Sequence, residues 1–437
     1  MTSNRRLTPN RRLLRFASAA AGESRERRGV STRSTRDFVA STNELAETVL
    51  RRNWRSGERD GLDYAYTSPS PGRYPWQWYW DSCFAAIVWR RFDRERARAE
   101  LETLLAAQRP DGFIGHTIFW DRPVSLARLP FYNVLSRRAL QTETIQPPLL
   151  AWAWRIAVGD PAEEPRIGAQ AQWLADNRDL EGDGLLWIAQ PDESGLDASP
   201  KFDPVWGRRA NGQIGFPLLV QRNRKLGFDA RRIAAAGGPV VCEVITNVLW
   251  SLSLQALGRP STTAALVERL WDEGRGLFID EAGPAGGRPG VSTIASLAPL
   301  ALPDLPEEIG RRLVEEHLLD PERYWTEVPP PSVSAQEPSY EPDGGSRLVR
   351  RYWRGPTWVN TAWLVWLGLQ RLGYEEKAAA MTRALAGAAV AEGLREYYDP
   401  RSGAGLGARD FAWSTLLLEM SDPDPAVGSS YLATACK

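Results

Sequence analysis

Two kinds of helical segment alternate along this chain of 437 residues. One kind is apolar nearly all round: residues 79–89, 144–158, 240–257, 291–302, 357–372 and 411–420. The other is amphipathic: residues 40–54, 94–108, 161–177, 261–272, 306–319 and 374–392. In 94–108, Ala97, Leu101, Leu104 and Leu105 follow the three-and-four spacing of one apolar stripe, with Arg94, Glu95, Arg98 and Glu102 opposite. A helix without a solvent face must be buried on all sides, and WVNTAWLVWLGLQRL (358–372) shows none until its end. An inner ring of buried helices wrapped by an outer ring of amphipathic ones satisfies both kinds, which predicts an all-α fold, an (α/α)6 barrel. A membrane bundle would need longer apolar runs, and a two-domain α/β protein would need β-branched strands that the sequence lacks.

The stretch before the first helix, 1–36, carries ten arginines against Glu23 and Glu26 and reads as a disordered basic leader. Arg11 and Arg12 precede Leu13 and Leu14 as in a twin-arginine export signal, but Arg15 interrupts a short apolar run. The remainder, 37–437, reads as one barrel domain. Its long irregular interval at 179–239 and the Pro-rich stretch at 328–342 are expected to cover or line the open end.

Fifty-four basic side chains balance fifty-four acidic ones, so the molecule presents no field that would gather nucleic acid or an anionic membrane. A small partner without strong charge is expected. Two histidines and three dispersed cysteines make a zinc site of the usual kind improbable, and no metal or other cofactor is expected. An odd cysteine count gives no disulfide framework, which fits a reducing cytoplasm.

Nineteen tryptophans are the compositional anomaly. Aromatic and polar residues concentrate where the apolar helices begin: YPWQWYWD (74–81), TETIQPP (142–148) and RYWRGPTW (351–358). Sugars demand that mixture, because their C–H faces stack on indole rings while their hydroxyls need oriented donors and acceptors. Trp89, Trp250, Trp363 and Trp366 read as core, whereas Trp78, Trp80 and Trp353, beside loop prolines and charges, read as binding residues.

Cleavage of a glycoside needs an acid for the leaving oxygen and a second carboxylate on the other side of the sugar. Most acidic residues lie on amphipathic helices, where solvated faces explain them. Those in loops at the mouth of the inner ring are Asp81, Glu143, Asp192, Glu193, Asp197, Asp203, Glu396 and Asp399.

At these residues the chain resembles a known group. QWYWDS (77–82), ESGLDASPKFD (193–203), YWRGPTW (352–358) and EYYDPRSGAGLG (396–407) are similar, in the same order, to motifs of glycoside hydrolase family 63. The likeness is strongest to its bacterial mannosylglycerate and glucosylglycerate hydrolase branch and runs from about Tyr74 to Leu418. It implies an (α/α)6 barrel and an inverting α-glycosidase that needs no metal. It further implies Asp197 as general acid, Glu396 as general base and Asp81 as a ligand of sugar hydroxyls. Tyr74, Trp78, Trp80, Gln146, Tyr352, Trp353, Arg354 and Gly355 fall in segments that form the family's sugar pocket, with Arg354 expected to grip hydroxyls and Trp80 and Trp353 to wall the ring.

The substrate expected is a small α-glucoside or α-mannoside, foremost mannosylglycerate or glucosylglycerate. Two alternatives keep the residues and change the outcome: an exo-acting α-glucosidase on disaccharides or oligosaccharides, and a carbohydrate-binding protein without catalysis. Leu196 and Ala198 depart from the usual SGMDNSP, and Gly115 stands where a proline usually precedes the histidine. Arg208, Arg209, Arg222 and Arg224 could bind a carboxylate or be solvated loop charges.

Overall fold

The computed structural model describes residues 35–423 apart from 213–214, 284–286 and 344–351. The basic leader expected over 1–36 lies outside the described residues but for its last two, which open a helix, Thr35–Asn53. About half of the described chain is helical, and helices far outweigh strands. Tyr79–Trp89 is buried at every position, and Leu150–Ala157, Val244–Ala256, Ile294–Ala301 and Val359–Arg371 nearly so. Each of these packs on the next in chain order, Val359–Arg371 packs on Ala412–Leu416, and that segment packs back on Tyr79–Trp89. In Arg94–Ala106 the predicted stripe of Ala97, Leu101, Leu104 and Leu105 is buried, and Asp93 caps the helix by accepting from the Arg96 N–H. Among the described residues no helix is long and apolar enough to cross a membrane.

The apolar segments are interrupted where local chemistry forbids a continuous α-helix. Pro147 and Pro148 keep the start of 144–158 extended, so its helix begins at Leu150. Pro299 removes a donor from 291–302, which forms a 3-10 helix over Ile294–Ala301. In 240–257 the β-branched start, Val240–Cys242, is a strand paired with Trp187–Ile188 and Glu281–Gly283, and Glu243 then caps Val244–Ala256 through the Ile245 and Thr246 N–H groups. The strands, none longer than six residues, all form antiparallel pairs between helices.

Two buried ion pairs hold the 191–203 loop to this frame. Arg178, at the end of the helix Pro165–Arg178, forms a two-pronged bond to Glu193 at 2.6 and 2.8 Å, and Glu193 also accepts the Ile145 and Ala189 N–H groups. Lys201 lies between Glu243 and Asp280, whose own carboxylates bond the N-terminal N–H groups of Val244–Ala256. Removing one partner of such a pair leaves an uncompensated buried charge. Lys201→Ala is therefore expected to lower unfolding stability by about 3–5 kcal/mol, measured by urea denaturation; a loss below about 1 kcal/mol, the value of a surface pair, would contradict this role.

Candidate active site

The segments that lead into the buried helices meet around a cavity of about 930 Å³. Tyr74, Trp78, Trp80 and Asp81 reach it from the first of them, Gln146 from the second, Asp192 and Asp197 from the long loop, Tyr352 and Arg354 from the fifth, and Phe411 and Trp413 from the last. Sequence segments hundreds of residues apart thus share one wall.

The Asp197 turn follows a 3-10 turn, Pro191–Ser194, whose Glu193 is tied to Arg178. Gly195 then has φ +73°, and a Cβ there would fall 2.5 Å from the Trp80 ring, so only glycine lets the backbone close on the indole. Asp197 is half-buried, its exposed part facing the cavity. Burial, followed by the negative charges of Asp192 and Glu396, holds its carboxyl well above the usual range.

Glu396 sits in the strand Arg395–Tyr398 where the pairing with Gly405–Arg409 shifts register, a bulge that re-aims one side chain. Its Oε1 accepts from the Tyr74 and Tyr352 hydroxyls at 2.9 and 3.0 Å, and its Oε2 from the Ala408 N–H at 2.8 Å. Burial raises its pKa, while the Ala408 N–H, the Arg73 charge and the two tyrosines pull it down. Gly407, with φ +67°, lies so close that a Cβ would stand 2.5 Å from Oε2. Glu396 is itself fully buried and does not line the cavity; Tyr74 and Tyr352, which do, stand between them and bond its Oε1.

Asp81, on the first turn of Tyr79–Trp89, is pushed well up by burial and then by Glu396. Gln146 holds the Trp80 N–H through Oε1 at 3.0 Å. Asp192 accepts from Asn133 and Gln190 at 2.6 Å each and is raised to about 7 by burial and the charge of Glu193. His116, edge-on to Trp78, lies 3.6 Å from Asp192, but burial lowers its pKa to about 3, so that contact is not an ion pair.

Not every expected residue reaches the cavity. Trp353 stacks on Trp358 at 3.8 Å, 6.4 Å from the Trp80 ring, and adds to the aromatic core behind the wall instead of forming it. Gly355 also lies off the cavity and donates its N–H to Ser332. Arg354 does line it, yet its nitrogens face Asp203, the Ala198 carbonyl and Glu341 rather than open space. Among the loop arginines, Arg208 and Arg209 line the cavity, whereas Arg224 bonds the Val134, Leu129 and Tyr132 carbonyls. Sequence reasoning passed over Arg128, Tyr132, Asn211, Phe216, Phe411 and Trp413 as lining residues. Trp413 had a readable signal, an aromatic residue opening the last apolar segment like Trp80 in the first.

The family described as the mannosylglycerate hydrolase MGH1-like glycoside hydrolase domain matches residues 74–261 and 258–414. A mannosylglycerate hydrolase from Thermus thermophilus is 30% identical over 429 residues, covering 85% of this chain and 98% of that protein. The chain belongs to glycoside hydrolase family 63. It is a glycoside hydrolase of the family's mannosylglycerate and glucosylglycerate hydrolase branch. Within that branch, a glucosylglycerate hydrolase from Mycolicibacterium hassiacum is 26% identical over 80% of this chain and 92% of its own length. The crystal structure of a family 63 mannosylglycerate hydrolase from Thermus thermophilus with Tris superposes with a TM-score of 0.74 at 28% identity, over 87% of this chain and 99% of that one.

For this family 63 enzyme, Gly407→Ala tests the close approach at Glu396. The left-handed backbone alone costs about 1–2 kcal/mol with a side chain, and the methyl would displace the carboxylate. A melting temperature lowered by several degrees and turnover reduced by at least tenfold are expected; unaltered kinetics would show that Glu396 does not depend on this contact.

Proposed function

We propose that this enzyme hydrolyses an α-linked hexosylglycerate, mannosylglycerate or glucosylglycerate, with inversion at the anomeric carbon. The observation that carries the reading is that Asp197 lines the cavity while Glu396 lies buried behind its lining residues Tyr74 and Tyr352, and that the two carboxyl groups have different surroundings. Asp197, raised by burial and like charge and without a side-chain donor among the described residues, favours its protonated form, as an acid must. Glu396, with three hydrogen-bond donors and Arg73 nearby, has support for its ionised form, as a base must. Asp197 gives its proton to the glycosidic oxygen as the C1–O bond breaks. Water attacks C1 from the other face and passes a proton to Glu396, which requires the two carboxyl groups to stand roughly 6.5–9.5 Å apart.

Trp78 and Trp80 wall the sugar, and Asp81 and Gln146 meet its hydroxyls. Tyr74 and Tyr352 hold the base. Arg128 and Arg209 are exposed residues lining the cavity, and their guanidinium groups suit the carboxylate of a glycerate leaving group, whereas Arg208 already pairs with Glu341 at 2.9 Å. The closed order of helix contacts supports an (α/α)6 barrel with loops over its open end, and one hydrophobic cluster from Ala46 to Met420 supports a single catalytic domain over 37–437. Cys83 and Cys242 are buried free thiols, which suits a cytoplasmic enzyme.

A panel of mannosylglycerate, glucosylglycerate and short α-glucans tests the substrate; activity confined to the glucans would replace the glycerate reading with an exo-α-glucosidase. Proton NMR of the first product should show β-sugar before mutarotation, and initial α-product would overturn inversion. Asp197→Asn should lower turnover on the glycerate substrate about 10²–10⁴-fold with ligand binding retained; unchanged turnover would remove the acid.

The pH profile follows from the same two groups. Activity should fall as pH rises through the raised Asp197 pKa, because the acid is lost, and fall as pH drops through the Glu396 pKa, because the base is protonated. Both limbs should lie above the ordinary carboxylate range, and an optimum near pH 3 would contradict the assignment.

A further inference from the structure

The turn that carries Asp197 has a conformation its own residues do not favour. Ala198 has φ +62°, one of five non-glycine residues with positive φ among those described. Nothing in an alanine side chain stabilises that backbone, so it persists only where neighbours over-determine it. Two side chains do so. Arg354 donates from Nη1 to the Ala198 carbonyl at 2.9 Å, and Asn211 donates from Nδ2 to the Ser199 carbonyl at 2.7 Å.

Both donors are themselves anchored on one carboxylate. Asp203 accepts from Arg354 Nη2 at 2.6 Å through Oδ2, and from Asn211 Nδ2 at 2.7 Å and Arg354 Nη1 at 3.3 Å through Oδ1. Arg354 and Asn211 are buried, and the remaining Arg354 nitrogen, Nε, faces Glu341 at 3.5 Å. The three residues come from separate places: Arg354 from YWRGPTW, Asn211 from the short helix Arg208–Asn211, and Asp203 from the end of ESGLDASPKFD.

We propose that Asp203 is a positioning residue for the general acid: it fixes Arg354 and Asn211, which clamp the carbonyls of Ala198 and Ser199 and so aim the Asp197 carboxyl at the leaving oxygen. The inference rests on Asp197 being the acid. It assigns Arg354 to the acid turn in place of the sugar hydroxyls. Misplacing a reacting group by about 1 Å costs roughly a hundredfold in rate, and the cost falls on substrates whose leaving group needs the proton.

The test compares each variant on glucosylglycerate or mannosylglycerate, whichever the enzyme accepts, and on the matching α-hexosyl fluoride, whose fluoride departs with little proton assistance. Asp203→Asn should lower kcat on the glycerate substrate roughly a hundredfold, with a loss at least tenfold smaller on the fluoride. It should also move the alkaline limb, because a displaced Asp197 carboxyl changes its distance from Asp192 and Glu396, the charges that raise it. Equal losses on both substrates, or an unmoved limb, would mean that Asp203 serves stability alone and would overturn the proposal.

Asp197→Asn is run beside it. If that variant harms both substrates equally, the acid assignment fails; if it spares the fluoride while Asp203→Asn does not, only the positioning role fails. Should circular dichroism show Asp203→Asn unfolded, Asn211→Ala cuts one arm of the clamp and carries the same expectation, with equal losses again overturning it.

Discussion

Asp81, Asp192 and Asp197 line one cavity, Glu396 lies buried behind two of its lining residues, Tyr74 and Tyr352, and burial works against the charge of all four carboxyl groups. The rest of the site is arranged around how each of them resolves that conflict. Glu396 is given two hydroxyls, a backbone N–H and a nearby guanidinium. Asp192 is given two amides. Asp81 and Asp197 receive no side-chain donor among the described residues, and both are driven toward the neutral form. The proposed acid and base can then hold different protonation states at one pH.

Neighbouring acidic residues are paired with dedicated cations. Glu193 is bound by Arg178 and Asp203 by Arg354; of three acidic neighbours that could have raised the Asp197 pKa, Asp192 is the one that does, while Glu193 acts on Asp192. The same pairs hold the loop in place, which couples the electrostatics of the proposed acid to the architecture. Lys201, between Glu243 and Asp280, extends that coupling to the start of a buried helix. Charge compensation and loop geometry are one structural device here.

Much of the fold was legible from hydrophobic pattern alone, because a helix apolar on every side has only one place to go. The pattern did not show where prolines would break those helices, since Pro299 converts one to a 3-10 segment without altering its composition. Of the site, the acidic residues could be narrowed to a few loops, and the tryptophans at helix entrances were recognisable. Trp353 and Trp80 look alike in sequence, each aromatic and beside a charged residue, yet one faces the cavity and the other stacks in the core. The pairing of Arg354 was hidden for a related reason: a guanidinium beside tryptophans looks the same in sequence whether or not a carboxylate such as Asp203 already holds it.

By itself the sequence determined which segments had to be buried, which residue types stood at their entrances, and which family motifs ran in order from Tyr74 to Leu418. These are local properties, set by periodicity and composition within a few turns of chain. Only the tertiary structure decided which carboxyl groups meet, which donors reach Glu396 and which cations are already spent. Such facts depend on contacts between residues hundreds of positions apart, 322 for Tyr74 and Glu396, and no local pattern encodes the distance between them.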